Sequence, residues 1–265
     1  MQDLKVLALQ SDLVWENPQA NRIAFEEKIR KEFDYHDLII LPETFTTGFP
    51  VNPEKYAEEI NGKTMGWLKG LSSELTTCIC GSFLLDTNSK YSNTLIWMRS
   101  DGSFERYDKR HVFSMGGEHK KIKAGESQLI VELKGWKIKP MICYDLRFPV
   151  WSKNHYSKSS GFEYDMAIYV ANWPAVRAYP WRNLLTARAI ENMACIIGVN
   201  RVGNDNSGIN YNGDTMLIDA KGNVLYDAKD GQEHNISFVF KAQELEDFRK
   251  KFNVGFDWDD FKITF

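Results

Sequence analysis

A cysteine stands at position 143, directly after the apolar end of a predicted strand over residues 136–142. Proline is tolerated in the first turn of a helix but not in its interior, so a helix is expected to begin near Pro149. The thiol then lies on the bend between a strand and a helix, where backbone N–H groups would favour a thiolate and, later, an oxyanion. This stretch alone leaves two interpretations open, a nucleophile and a buried structural cysteine.

Charged side chains follow two other predicted strand ends. Glu43 comes directly after a short buried strand over residues 37–41, at a position where α/β proteins tend to place chemistry. Lys109 ends a run of antiparallel strands and precedes a long loop that also carries Glu118, and loops of that length are usually functional or mobile. Taken singly, Glu43 is more typical of a solvated loop carboxylate or a helix cap, and Lys109 of a surface lysine.

The same loop holds three residues whose side chains can bind metals, namely His111, Glu118 and His119. Structural and catalytic metal sites usually show a regular ligand spacing or a second cluster of ligands, and this sequence has neither. No metal site is therefore predicted.

The elements that must position these residues alternate between strands and helices. Residues 4–41 read as strand, helix and strand, which predicts a parallel pair with a crossover, and residues 77–107 read as an antiparallel meander. A hairpin over residues 128–142 delivers Cys143. Further strands are predicted over 165–172, 194–200, 215–219, 223–226 and 236–240, and helices over 19–33, 64–75, 181–191 and 241–251. These strands are too many for one sheet of ordinary width, so we predict an α/β fold of two sheets packed face to face with helices outside, in one domain over residues 1–265.

Composition narrows the class of protein. Of the 265 residues, 43% are hydrophobic and 26% are charged, and the formal net charge is -3. These values are ordinary for a soluble globular protein. Both charge signs are spread along the chain, so neither nucleic acid nor a membrane is expected as a partner. The N-terminus shows no basic segment followed by a long apolar one, so no signal peptide or membrane span is predicted and a cytoplasmic location follows by default. The 4 cysteines form neither a C-x-x-C redox pair nor a zinc ligand set, which suits a reducing compartment.

Three segments occur together in one order: LPETFTTGF around Glu43, YDKRHVF around Lys109 and PMICYDLRFP around Cys143, followed by NWP at 172–174. Together they resemble the catalytic motifs of the nitrilase superfamily of carbon–nitrogen hydrolases, over residues 4 to about 240. The resemblance implies a four-layer αββα sandwich with two mixed sheets. It also implies a Glu-Lys-Cys triad, and a second glutamate in the loop after the lysine, Glu118, that orients the amide or the attacking water.

In such a triad Glu43 would take the proton of Cys143, and Lys109 would favour the thiolate and then the oxyanion. The backbone N–H of Tyr144 would be the second oxyanion donor. Attack on an amide releases ammonia and leaves a thioester, which water hydrolyses to the acid. No metal or organic cofactor is needed for this chemistry, and none is expected.

The segments CYDLRFPVW, DKRHVF and GGEHKKIKAG are most similar to the omega-amidase branch of that superfamily. This resemblance implies a small amide substrate, the terminal amide of a 2-oxo dicarboxylic acid monoamide such as 2-oxoglutaramate or 2-oxosuccinamate. Arg147 is suited either to the carboxylate of such a substrate or to a structural carboxylate, and Arg177 is a second candidate. Five residues are predicted on the pocket rim, although each would also suit core or dimer packing: Phe45, Phe113, Met115, Trp173 and Tyr179.

The same sequence features are compatible with other functions. A nitrilase, an aliphatic amidase or an N-carbamyl amidohydrolase would share the same fold, and a non-catalytic binding protein could have kept it. The filled triad positions count against a binding protein, and the absence of a recognisable histidine motif counts against a papain-like protease. The resemblance also implies a homodimer, with the helix and aromatic tail over residues 241–265 expected at the subunit interface.

Overall fold

Two six-stranded sheets form the centre of the protein, which a computed structural model describes over residues 1–32, 34–49 and 52–264. The first sheet contains β1 (Leu4–Gln10), β2 (Leu38–Ile40), β3 (Cys78–Asp86), β4 (Tyr91–Met98), β5 (Phe104–Asp108) and β16 (His234–Phe240). The second contains β6 (Val131–Leu133), β7 (Trp136–Ile142), β10 (Met166–Ala171), β11 (Cys195–Asn200), β14 (Thr215–Ile218) and β15 (Val224–Ala228). Two small hairpins pair β8 (Tyr156–Ser157) with β9 (Gly161–Phe162) and β12 (Val202–Asn204) with β13 (Asn210–Asn212).

The strand orders are β16-β1-β2-β3-β4-β5 and β15-β14-β11-β10-β7-β6, and both sheets mix parallel and antiparallel pairs. The helices are α1 (Pro18–Lys31), α2 (Pro53–Tyr56), α3 (Lys63–Leu75), α4 (Pro149–Ser152), α5 (Ala178–Asn192) and α6 (Ala242–Lys251). Short 3-10 turns cover Ser114–Gly116, Glu118–Lys120, Cys143–Arg147, Ala175–Arg177 and Val254–Asp257. Among the helices in the described ranges, none is long and apolar enough to span a bilayer.

Side-chain alternation along the strands of the first sheet separates two hydrophobic layers. Leu4, Val6 and Ala8 of β1 belong to the core cluster that contains residues of both sheets, whereas Leu7 and Leu9 pack with residues of α1 and α3. Successive side chains of a strand point to opposite faces, so a strand with both faces apolar must be covered on both sides. The first sheet is therefore enclosed by the second sheet on one face and by α1 and α3 on the other.

Helix α5 covers the outer face of the second sheet. Its Trp181 and Leu185 are fully buried, and they lie against Gly198 of β11. A Cβ atom at position 198 would come within 2.4 Å of Leu185 Cδ1, so the close approach of helix and strand requires glycine there. Helix, sheet, sheet and helix form four layers, which confirms the predicted αββα sandwich.

The carboxyl ends of several strands meet along one edge of the sandwich. In the first sheet β1, β2 and β3 are parallel, and in the second β7, β10 and β11 are parallel. Glu43, Lys109, Cys143 and Asn172 follow the ends of β2, β5, β7 and β10 respectively. In α/β proteins such an edge is where ligands bind.

Most predicted elements are present, with some differences. The helix predicted over 19–33 is α1, and position 33 lies outside the described residues. The helix expected near Pro149 is a single turn, α4, preceded by the 3-10 turn that carries Cys143. The two small hairpins were not predicted because their strands have only two or three residues each.

The aromatic tail packs on its own chain. The rings of Phe256 and Tyr156 are 5.1 Å apart, those of Trp258 and Phe162 are 5.7 Å apart, and Phe261 lies 4.8 Å from the ring of His155. These contacts place the tail beside the β8–β9 hairpin.

Candidate active site

Glu43 is a fully buried carboxylate with donors on both oxygens. Its Oε1 accepts hydrogen bonds from Lys109 Nζ and from Asn93 Nδ2, each at 2.9 Å, and its Oε2 accepts the backbone N–H of Asn172 at 2.8 Å. The side-chain Nδ2 of Asn172 also donates to the backbone oxygen of Glu43 at 2.8 Å. The carboxylate is thus held by groups from both sheets, and it is neither a solvated loop carboxylate nor a helix cap.

Lys109 is also buried, and its ammonium bridges two glutamates. Its Nζ lies 2.9 Å from Glu43 Oε1 and 3.0 Å from Glu118 Oε2. Burial alone would lower the pKa of Lys109, but the carboxylates of Glu118 and Glu43 outweigh it and raise that pKa. Lys109 therefore remains a fixed cation at this site and is not a surface lysine.

Glu118 faces Lys109 and the loop that carries it. Both of its carboxylate oxygens accept from Lys109 Nζ, and Oε2 also accepts the backbone N–H of Phe113. Asn93 Nδ2 approaches Oε1 at 3.5 Å. Glu118 is thus connected to Glu43 through the ammonium of Lys109, and it does not face the open space of the site.

Cys143 lies on a sharp bend at the end of β7. Its φ angle is 45°, a left-handed backbone conformation that is uncommon for a residue with a side chain. A nucleophile on a strained bend between a strand and a helical turn is exposed to substrate in other hydrolases, and strain of this kind clusters at functional sites. The conformation favours the nucleophile over the structural cysteine.

The electrostatics around this thiol oppose its ionisation at rest. Burial raises the pKa of Cys143 well above its usual range, and the carboxylate of Glu43 raises it further. The ammonium of Lys109 lowers this pKa, as expected, but it does not outweigh the effects of burial and of Glu43. The resting thiol is therefore protonated, and a base must remove its proton during the attack.

One cavity of about 490 Å³ opens onto these groups, within the range of small-molecule sites. Its polar lining includes Glu43, Lys109, Cys143, Tyr144 and Asn172. The rest of the lining consists of Trp15, Phe49, Phe113, Met115, Gly116, Arg147, Trp173, Pro174, Arg177, Asp205, Ser207, Ile209 and Tyr211. Glu118 is not among the described residues that line it.

The structure brings most of the predicted rim residues to this cavity, with two corrections. Phe113 and Trp173 line it, and Met115 lies at its mouth with 87% of its surface exposed. Phe45 does not line it; this ring is buried in the outer layer, 5.8 Å from the ring of Phe25. Tyr179 is 80% exposed on α5 and is not among the described lining residues either.

The backbone just after Glu43 explains why the Phe45 ring points away from the cavity. Thr44 has a φ of 39°, and the backbone N–H of Phe45 donates to Ser82 on β3 at 3.0 Å. This turn sends the Phe45 ring to the face of the first sheet that α1 and α3 cover, away from the cavity.

Two arginines face the cavity with aromatic rings beside them. The guanidinium of Arg147 lies 4.9 Å from the ring centre of Trp173, and that of Arg177 lies 5.6 Å from the ring centre of Phe113. Within the described ranges, neither forms an ion pair with a carboxylate of the protein. The structural carboxylate partner considered for Arg147 is thus not seen.

Several residues of the site had no predicted role, although Asn172 stands in the NWP segment. Asn172 follows β10 just as Cys143 follows β7, so its strand-end position was an available signal. Asn93 stands in a buried polar run, Ser92 to Thr94, inside β4, which is unusual for a covered strand. The cavity residues of the β12–β13 hairpin, among them Asp205 and Tyr211, had no comparable signal.

His111, one of the possible metal ligands in the sequence, has other partners. His111 Nδ1 lies 2.8 Å from Asp145 Oδ1, and the His111 ring stacks on Phe148 with centres 3.7 Å apart. In the part of the chain that the structure describes, no group of three or more histidine, cysteine or acidic residues is arranged to hold a metal ion.

Comparison with known proteins agrees with this geometry. The sequence profile of the family described as carbon-nitrogen hydrolase matches residues 8–249. The chain is 41% identical over 263 residues to the omega-amidase YafV of Yersinia enterocolitica, covering 99% of this chain and 100% of that protein. It is 33% identical over 234 residues to the 2-oxoglutaramate amidase of Bacillus subtilis, covering 87% and 88% respectively.

The fold is also matched by a solved structure. The protein XC1258 of Xanthomonas campestris, described as a CN-hydrolase superfamily protein with an arsenic adduct in the active site, superposes with a TM-score of 0.96. The two sequences are 38% identical, and the match covers 100% of both chains.

Proposed function

Because this chain belongs to the carbon–nitrogen hydrolase family, we propose that it hydrolyses the terminal amide of a 2-oxo dicarboxylic acid monoamide, 2-oxoglutaramate or 2-oxosuccinamate. One observation carries the proposal: Glu43, Lys109 and Cys143 converge on the wall of one cavity of about 490 Å³. The relatives named omega-amidase and 2-oxoglutaramate amidase support the class of substrate.

In the first half of the reaction, the Cys143 sulfur attacks the amide carbon while its proton passes to Glu43. This order follows from the raised pKa of Cys143, because little thiolate exists before the substrate arrives. The carbon–sulfur bond forms, and the carbonyl oxygen takes the negative charge. Lys109 Nζ and the backbone N–H of Tyr144 are the donors that we assign to this oxyanion.

The intermediate collapses when Glu43 returns its proton to the amide nitrogen. The carbon–nitrogen bond then breaks, ammonia leaves, and a thioester to Cys143 remains. Water transfers a proton to Glu43 as its oxygen bonds to the thioester carbon. The carbon–sulfur bond breaks, Cys143 recovers the proton from Glu43, and the dicarboxylic acid is released.

We assign Glu118 the role of holding Lys109 in place. Both of its oxygens bond to the ammonium, which lies between the two glutamates. A lysine side chain has four rotatable bonds, so a second anchor limits the positions that the ammonium can take. This role differs from the direct orientation of amide or water that the family resemblance implied.

We assign the carboxylate of the substrate to Arg147. Its guanidinium faces the cavity, is stacked on Trp173 and has no carboxylate partner within the described ranges, so its N–H groups are available for a bidentate pair. Arg177 is a second cation on the same cavity, beside Phe113. Phe113, Met115 and Trp173 supply apolar surface for the carbon chain of the substrate.

The decisive experiment is a substrate panel with ammonia detection. The purified protein should release ammonia from 2-oxoglutaramate faster than from an aliphatic amide, a nitrile or an N-carbamyl amino acid. Cys143→Ala should abolish this turnover, whereas Cys78→Ala, which removes a thiol from the core between the sheets, should keep it. Preference for a nitrile or a carbamyl compound would assign a different activity to the same site, and no turnover of any of them would support a binding protein.

We further propose that residues 1–265 form a single domain that works as a cytoplasmic homodimer, with α6 and the tail at the interface. All four cysteines are free, which suits a reducing compartment. Phe252 and Phe256 expose 58% and 59% of their surface, which is apolar area that a second subunit would cover. Light scattering of the wild type and of Phe252→Ser/Phe256→Ser tests this: a dimer that becomes monomeric is expected, and a wild-type monomer would contradict it.

A further inference from the structure

The carboxylate of Asp145 is fully buried, two residues after Cys143, and accepts four hydrogen bonds. Its Oδ2 accepts the Tyr107 hydroxyl at 2.7 Å and the backbone N–H of Ile142 at 3.0 Å. Its Oδ1 accepts both the backbone N–H of His111 at 2.9 Å and the ring Nδ1 of the same residue at 2.8 Å. A buried carboxylate with this many donors is held rigidly.

These donors belong to two chain segments, and each lies one or two residues from a residue of the triad. Tyr107 is on β5 of the first sheet, two residues before Lys109, and His111 is two residues after it. Ile142 is the last residue of β7 in the second sheet, directly before Cys143. One carboxylate therefore connects the chain on both sides of Lys109 to the bend that carries Cys143.

The donors are themselves fixed by further contacts. The Tyr107 hydroxyl accepts a hydrogen bond from Trp151 Nε1 at 2.9 Å. The ring of His111 stacks on Phe148 with an angle of 5° between the planes, and Phe148 belongs to the same segment as Asp145. The connection is consequently a rigid one.

We propose that Asp145 is the positioning residue that sets the distance between the Lys109 ammonium and the Cys143 sulfur. It acts through other groups, because it is not among the described residues that line the cavity. The role in turnover rests on the proposed amide hydrolysis. Triad geometry must be held within a fraction of an ångström, and a misplacement of about 1 Å can cost about 10²-fold in rate.

Asp165 offers a matched control for the loss of a buried carboxylate. It is 5% exposed, accepts the backbone N–H of Lys137 at 2.9 Å and forms an ion pair with Arg249. It therefore bonds to the same strand, β7, but at the end opposite to Cys143. A role confined to stability would make Asp145→Asn and Asp165→Asn behave alike.

The experiment compares Asp145→Asn with Asp165→Asn by kcat and KM on 2-oxoglutaramate, by the rate at which chloroacetamide alkylates Cys143, and by thermal unfolding. Asp145→Asn should lower kcat by about 10²-fold with KM changed less than about twofold, and it should alter the alkylation rate. Asp165→Asn should lower only the unfolding temperature. A folded Asp145→Asn with wild-type kcat, or an equal loss of kcat in Asp165→Asn, overturns the proposal.

An independent measurement compares Tyr107→Phe with the double variant Tyr107→Phe/Asp145→Asn. The effect of Tyr107→Phe on kcat should shrink in the Asp145→Asn background, because both changes break the same connection, whereas independent effects would be additive. If Asp145→Asn does not fold, Tyr107→Phe alone carries the test: lower kcat at unchanged KM supports the proposal, and unchanged kcat overturns it. Alkylation is read without substrate, so a chain that hydrolyses no amide refutes the proposed function and leaves this readout valid.

Discussion

The Nζ atom of Lys109 lies 2.9 Å from Oε1 of Glu43, so the proposed base and the proposed oxyanion donor share one buried hydrogen bond. A carboxylate in this position can receive a proton from sulfur without losing its orientation, because Asn93 and Asn172 hold it as well.

Glu43→Gln should lower kcat on 2-oxoglutaramate by at least about 10³-fold, since glutamine cannot carry the proton between sulfur and nitrogen. Its amide would also present a donor to the N–H groups that now bind the carboxylate. Steady-state ammonia release measures the effect, with Glu126→Gln, an exposed position outside the cavity, as the control. Substantial turnover by Glu43→Gln would mean that another group is the base.

Lys109→Arg should lower kcat by about 10²–10³-fold even though the charge is kept. The site between Glu43 and Glu118 fits an ammonium at 2.9 and 3.0 Å, and a planar guanidinium is larger and cannot take that position. Lys123→Arg on the exposed surface serves as the matched control. Equal kcat values in the two variants would show that Lys109 supplies only charge.

The pH dependence of Cys143 alkylation should shift when Glu43 is neutralised. The Glu43 carboxylate raises the pKa of the thiol, and Lys109 lowers it. Removing the negative charge in Glu43→Gln therefore moves the alkylation midpoint to lower pH than in the wild type, although turnover is lost. Iodoacetamide rates across the alkaline range measure this; a midpoint that rises or stays fixed contradicts the electrostatic account.

Arg147→Lys should raise KM for 2-oxoglutaramate by about tenfold or more while changing KM for a neutral amide much less. A bidentate, charge-assisted pair with a carboxylate contributes about 1.5–3 kcal/mol, and lysine reproduces only the charge. Arg99→Lys controls for the substitution itself, because Arg99 pairs with Glu105 on the first sheet. A rise of the same size for both substrates would return Arg147 to a structural role.

Phe45→Leu should reduce stability rather than substrate binding. The ring packs in the outer layer against Phe25, Trp67 and Phe83, so its loss should lower the free energy of unfolding by about 1–3 kcal/mol. KM should stay at the wild-type value. Chemical denaturation and steady-state kinetics on one preparation measure both quantities, and an altered KM with intact stability would restore Phe45 to the pocket.

By itself, the sequence determined the local features of this protein. Strand ends at residues 41, 107 and 142 could be read from the strand-like runs and their boundaries, and one triad residue stands within two positions of each end. The number of strands and their alternation predicted two sheets with helices outside. These are short-range properties of the chain, which periodicity and turn residues encode.

Only the tertiary structure decided which side chains meet. Asn93 and Asn172 bond to Glu43 across 50 and 129 positions of sequence, and no local pattern encodes such a distance. The direction of Phe45 depended on the positive φ of Thr44, and the state of the Cys143 thiol depended on the balance of burial, Glu43 and Lys109. Packing of two sheets sets these contacts, because it joins chain segments that are far apart in sequence and removes them together from water.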